Sequence, residues 1–136
     1  MIELPRAYNA AVDLVERNDP DRLAIIDDAG RYTYGEVGEL VAKAAGALAA
    51  LGVQPEQRVA LCMLDSVDFV ATFLGAIRLG AVPVPLNTML TADDYRYLIA
   101  DSRARVVIAS EPLLAKLPAG AIPAAIWRQQ VATAIA

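Results

Sequence analysis

A chain of 136 residues, 57% of them hydrophobic, is long enough for one packed core; its single cysteine and complete lack of histidine exclude a disulfide framework, a cysteine-rich metal site and every histidine-based triad. Twelve basic residues, scattered singly, against sixteen acidic ones give a net charge of −4 and a pI near 4.7, which disfavours a nucleic-acid partner. The mean hydropathy of +0.41 is high for so small a chain, so some apolar surface is expected to need a cover, yet the longest uncharged apolar runs stop well short of the ~18 residues of a membrane span. The opening MIELPRAYNAAVDLVERN carries acidic residues and no sustained apolar stretch, so it does not read as a secretory signal, and a cytoplasmic location is expected.

The elements follow in chain order. Leu23–Asp27 and Arg31–Tyr34 are short strand-like runs flanking Asp28-Ala29-Gly30, the composition of a tight turn, and predict a hairpin. Thr33 and Glu36 have the spacing of a capping box, and apolar residues from Val37 to Leu51 recur at helical spacing until Gly52. Arg58–Leu64 is a continuous apolar run of strand length, the pattern of a parallel strand covered on both faces, and Cys62 within it reads as a small buried hydrophobe. Asp65 or Ser66 can cap a helix over Val67–Leu79 that ends at Gly80; its apolar residues run most of the way round, so it needs cover on several sides. Val82–Leu86 is a short strand whose prolines suit an edge. Thr91 and Asp94 repeat the capping spacing before a helix with Tyr95, Leu98 and Ile99 on one face, and Arg105–Ser110 is the next strand.

Strand, helix, strand, helix, strand in this order predicts an α/β fold: a mainly parallel sheet flanked by helices, with an N-terminal β-hairpin. Residues 1–117 make one partial subdomain, and 118–136 form an atypical Ala-rich tail without a clear period, in which a short terminal helix from Ile126 would place Trp127 and Val131 on one side.

Four stretches carry a family resemblance: YNAAVDLVERN (Tyr8–Asn18), YTYGEV (Tyr32–Val37), Ala50–Thr88 with its GAVPVPLNT ending, and LTADDYRYLIADSRARVV (Leu90–Val107). On these the chain resembles the N-terminal part of the acyl-adenylate-forming (AMP-binding) enzymes over about residues 8–117, and most closely the benzoate-CoA ligase group of aryl-CoA synthetases. The resemblance implies an incomplete first subdomain of a larger N-terminal domain. It also implies a reaction in which a carboxylic acid and ATP give an acyl-adenylate and pyrophosphate, after which coenzyme A takes the acyl group. ATP, Mg²⁺ and coenzyme A are the family's cofactors.

The residues that such chemistry requires are not found among the motifs of this chain. Neutralising a triphosphate takes a Gly-, Ser- and Thr-rich loop with a lysine. No two glycines here are closer than three apart, and the only lysines, Lys43 and Lys116, stand away from any Gly-rich turn and read as solvated surface charges. In the family, the phosphate loop, the adenine-stacking aromatic, the ribose-binding aspartate, the acid pocket and the late catalytic lysine lie C-terminal to the matched region. The carboxylate pairs Asp27/Asp28 and Asp93/Asp94 read as a turn and a helix N-terminus, Gly35 and Gly38 as parts of a helix, and Tyr32, Tyr34, Tyr95 and Tyr97 as packing residues with wet hydroxyls. Related ligases can meet the coenzyme A phosphates with a basic residue just after the Asn-containing turn; that position here, after Thr88, is Met89.

The expectation is therefore no catalytic, cofactor-binding or metal residue in this chain, and no cofactor bound by it alone. Three readings remain: the N-terminal part of an aryl-CoA ligase, inactive alone; one half of a split ligase that assembles with a separate chain; or a stand-alone non-catalytic binding module. The expected partner is the remainder of a ligase, or another copy of the chain through apolar surface left uncovered around the helix Val67–Leu79; no membrane partner is expected.

Overall fold

The computed structural model describes residues 1–3 and 5–136. After a π-helical turn over Val12–Glu16, strands β1 (Leu23–Ile26) and β2 (Arg31–Thr33) pair antiparallel as the predicted hairpin. Asp27 shapes the turn: its Oδ1 accepts from Ala29 N at 2.9 Å and Gly30 N at 3.0 Å. Helix α1 (Tyr34–Ala50) starts at the predicted capping box, Thr33 Oγ1 accepting from Glu36 N while Glu36 Oε2 accepts from Thr33 N. Two of the helix's orphan N–H problems are thus solved within four residues of sequence.

The remaining elements build one parallel sheet. β3 (Arg58–Cys62), α2 (Val67–Leu79), β4 (Val82–Pro85), α3 (Ala92–Ser102), β5 (Val106–Ala109), a 3₁₀ turn over Glu111–Lys116, β6 (Ile122–Pro123) and α4 (Ala124–Thr133) follow in turn, and the strands lie in the order β4-β3-β5-β6. Ser66 caps α2, and Gly80 closes it in the left-handed conformation at φ 89°, which glycine adopts without a Cβ clash. The four-residue strands are one or two residues shorter than the apolar runs that announce them, although flanking residues still bond to the neighbouring strand, Leu86 N donating to the Leu61 carbonyl and Ser110 N to the Cys62 carbonyl.

Side chains of a strand alternate between faces, and the core divides accordingly. Val59, Leu61 and Met63 of the β3 segment join Ile108 of β5, Leu48 of α1, Ala76 of α2 and Trp127 of α4 in one buried cluster. Cys62 and Ala109 point the other way, onto Tyr95 of α3 and Leu113. A third cluster joins Val15, Val37, Val41, Val67 and Leu74 beneath the hairpin. Helices α1 and α2 meet at unusually small residues: a Cβ on Gly75 would lie 2.7 Å from Ala44 Cβ and 3.1 Å from the Val41 carbonyl oxygen. Gly75 is what permits this approach.

Two expectations change here. The apolar circumference of α2 is not left bare: α1 covers one side, the sheet another, and α4 of the tail a third, so that Phe69 and Phe73 are half-buried within this chain. The large exposed apolar side chains sit elsewhere, among them Leu64, Met89, Tyr97 and Ile126. The tail helix begins at Ala124 rather than Ile126, preceded by the unforeseen β6, and it is an integral part of the core. No helix among the described residues is long and apolar enough to cross a membrane.

Candidate functional site

In an open α/β sheet the place to look is the loops beyond the carboxyl ends of the strands. A cleft of about 420 Å³ opens there between the hairpin turn and the first turns of α2 and α4. Asp27, Asp28, Asp65, Asp68 and Arg128 supply its charge, and Tyr32 and Leu40 supply apolar wall.

Each charged group with a resolved partner is committed to the fold. Asp27 Oδ2 accepts from Val67 N at 2.9 Å, so the hairpin turn caps α2 alongside Ser66 Oγ, which accepts from Phe69 N at 3.3 Å. The Val67 bond is the main reason the Asp27 carboxyl lies below its ordinary value, with Ala29 and Gly30 adding to it. Arg128 grips Asp68 Oδ2 through both Nε, at 2.8 Å, and Nη2; that hydrogen bond, with the Asp68 charge behind it, holds the guanidinium above its ordinary value. At the neighbouring helix start, Glu111 Oε1 accepts from Ala125 N at 2.7 Å, and this bond is first among the causes that depress its carboxyl.

A helix N-terminus at a strand's carboxyl end is a natural anion site. At the starts of α2 and α4 that position is taken by the chain's own carboxylates, Asp27 and Glu111. Four aspartates around one already paired arginine repel a triphosphate, so the residues of this cleft do not fit ATP, and no group of three His, Cys, Asp or Glu side chains suited to a metal ion occurs among the described residues. A second cavity, about 530 Å³, lies between α1 and the end of α4 and is walled by Gly46, Ala47, Leu51, Thr133 and Ile135, with little chemistry to offer.

The residues weighed in the sequence distribute as follows. Asp27 forms the turn and Asp94 the N-terminal box of α3, where Oδ2 accepts from Thr91 N at 3.1 Å. Gly35 and Gly38 lie in α1; Lys43 pairs with Glu39 at 3.2 Å, and Lys116 Nζ donates to the Leu90 carbonyl at 3.3 Å. The tyrosines separate. Tyr97 is 67% exposed, whereas Tyr95 is fully buried and its hydroxyl is not wet: it donates to the Asn87 carbonyl at 2.6 Å and accepts from Leu90 N at 3.3 Å. Burial pushes the Tyr95 phenol and the Cys62 thiol up, away from reactive ionised forms. The Tyr95 bonds fix the loop that presents Met89, itself 87% exposed.

Sequence reasoning missed the tail's polar fastenings. Trp127 Nε1 donates to Thr72 Oγ1 at 2.7 Å in the core, and Thr72 Oγ1 in turn donates to the Asp68 carbonyl at 2.6 Å. A lone tryptophan in an Ala-rich stretch was the available signal, because large aromatics rarely stay in water.

The parallel sheet, its preceding hairpin and the helix-start cleft define an α/β domain of the kind found at the N-terminus of adenylate-forming enzymes. Solved structures agree: 94% of the chain superposes on 29% of a benzoate CoA ligase from Burkholderia xenovorans LB400 with a TM-score of 0.85 and 37% identity. The profile of the AMP-binding enzymes matches residues 12–133, and the chain belongs to that family. Among curated relatives it is 48% identical over 118 residues to the benzoate–CoA ligase of Thauera aromatica, covering 83% of this chain and 22% of that protein. It is 53% identical over 113 residues to the 4-hydroxybenzoate–CoA/benzoate–CoA ligase of Rhodopseudomonas palustris, covering 80% of this chain and 21% of that one. The chain thus spans about a fifth of the length of these relatives, and the family match runs past residue 117 through α4.

Proposed function

We propose that the chain is the N-terminal subdomain of an ATP-dependent aryl-CoA ligase and acts as a scaffold, without turnover of its own. One observation carries the reading: at the strand ends, where an adenylate-forming site would need cations and free N–H groups, the two helix starts are capped internally by Asp27 and Glu111. The likeness to ligases for benzoate and 4-hydroxybenzoate supports an aryl acid as the substrate class of the whole enzyme. Within such an enzyme this chain supplies a rigid sheet against which the phosphate-binding part packs, and that part is its partner; ATP, Mg²⁺ and coenzyme A are then held mainly by residues outside this sequence. The exposed Leu64, Met89 and Ile126 are candidate apolar contacts for it.

The test is pyrophosphate release from ATP with benzoate, Mg²⁺ and coenzyme A. The purified chain is expected to stay at the no-protein level, and mixing it with the separately produced remainder of a benzoate-CoA ligase is expected to restore turnover. Activity of the chain alone that survives repurification would overturn the scaffold reading in favour of an enzyme complete in itself.

A further inference from the structure

The sheet ends on one side at β4, and among the described residues no strand pairs beyond it. Such an edge normally offers a row of free N–H and C=O groups on which another chain can continue the sheet. The sequence of β4 is Val82-Pro83-Val84-Pro85. In a strand, the N–H and C=O of one residue point to the same side and successive residues alternate sides. Val82 N donates to the Gln57 carbonyl at 2.8 Å and Leu86 N to the Leu61 carbonyl at 2.9 Å, so residues 82, 84 and 86 form the row facing β3. Pro83 and Pro85 therefore form the outward row, and neither has an N–H.

The outer edge of β4 thus presents carbonyls and no donor along its whole length. A strand laid against it could donate to Pro83 and Pro85 but would leave its own facing carbonyls unmatched, which costs more than the bonds return. The phase of the prolines matters. Moved by one residue in either direction, they would remove the bonds to β3 and leave the outer edge open. The side chains alone would not protect this edge, since Val82 is 44% exposed and β-branched residues favour pairing.

We infer that the β4 edge is closed to strand addition, so that a second copy of this chain does not extend the sheet there and self-association, where it occurs, uses another surface. The test compares the full chain with P83T/P85T, which restores two outward N–H groups on strand-favouring residues, and with P83T/P85K, which restores them but adds a charge. Sedimentation across a concentration series is read for all three, and hydrogen exchange at residues 83 and 85 for the two variants, since the parent's prolines have no amide hydrogen there. In P83T/P85T a new association at least about tenfold tighter than any in the parent is expected, with the amides at 83 and 85 becoming protected as concentration rises. P83T/P85K is expected to associate less than P83T/P85T. Should the double variant lose the native amide spectrum, P85T alone, at the exposed end of the strand, carries the same readout. Equal association of parent and folded variants, with the new amides exchanging freely at every concentration, would overturn the inference.

Discussion

Helices α3 and α4 are similar in length, 11 and 10 residues, and are held in place by opposite means. α3 caps itself: Thr91 and Asp94 exchange both capping-box bonds, and among its side chains only Tyr95 is fully buried. α4 has Pro123 at its N-cap and no side-chain bond from it; its cap comes from Glu111, its hydrogen-bonded anchor from Thr72, and its ion pair from Asp68, far back in the chain. One helix is specified by its own first four residues, the other by the surface that receives it. Helices of this length are marginal alone, so the difference decides which perturbations each one feels.

The largest expected effect breaks α4 from the core. Trp127 is 1% exposed and shares its cluster with Leu48, Val59 and Ile108, so W127A removes a large buried volume together with the bond to Thr72. A loss of about 3–5 kcal/mol is expected, read from the urea midpoint of unfolding. W127F keeps most of the volume and loses the N–H donor, and about 1 kcal/mol is expected for it. A W127A chain that melts with the parent would mean that α4 rests on the core without contributing to it.

That contrast also explains what could be read from the sequence. The hairpin, the starts of α1, α2 and α3, the left-handed Gly80 and the edge position of β4 all rest on signals within a few residues, such as Thr33 with Glu36 or the prolines of VPVP. β6 is two residues long and has no period to detect, and α4 lacks a local cap, so neither could be placed by spacing. Tyr95 and Tyr97 look alike in sequence because only rotation about α3 separates a buried, doubly bonded phenol from an exposed one. At the helix-start cleft, Asp27 was legible as a turn residue, whereas nothing in the sequence singled out Asp68. Their commitment to Val67 N and Arg128 depends on contacts 40 and 60 positions apart, which no local pattern records.

A smaller effect is expected at the self-capped helix. T91A removes the acceptor for Asp94 N, which sits on an exposed turn. The expected cost is about 1 kcal/mol, in the usual range for a lost cap. Because α3 packs mainly through Tyr95, the loss should appear as faster hydrogen exchange in the first turn of α3 while α4 amides keep their protection. Equal acceleration in both helices would show that they unfold as one unit and that their different fastening has no dynamic consequence.

The smallest effect concerns acid and the single carboxylate that caps α4. The bond from Ala125 N lowers the Glu111 carboxyl from its ordinary value of 4.5, so the folded state prefers the ionised form. A depressed folded value means that the contribution is complete above about pH 4.5, and is lost as pH falls from there through the lower folded value. Asp94 is depressed in the same direction, but its first cause is the side chain of Thr91, within the box of α3. Protonating Glu111 should therefore loosen α4, and protonating Asp94 only the first turn of α3. E111Q retains a neutral carbonyl acceptor and cannot titrate. Its stability should lie slightly below the parent's at pH 7 and converge on it in acid, with the difference followed by Trp127 fluorescence, since that ring reports on α4 docking. D94N should leave the fluorescence curve where it is. If E111Q tracked the parent at every pH, the Glu111–Ala125 bond would contribute nothing to α4, and the helix would be held by its buried face of Ala124, Trp127 and Val131 and by the Arg128–Asp68 pair.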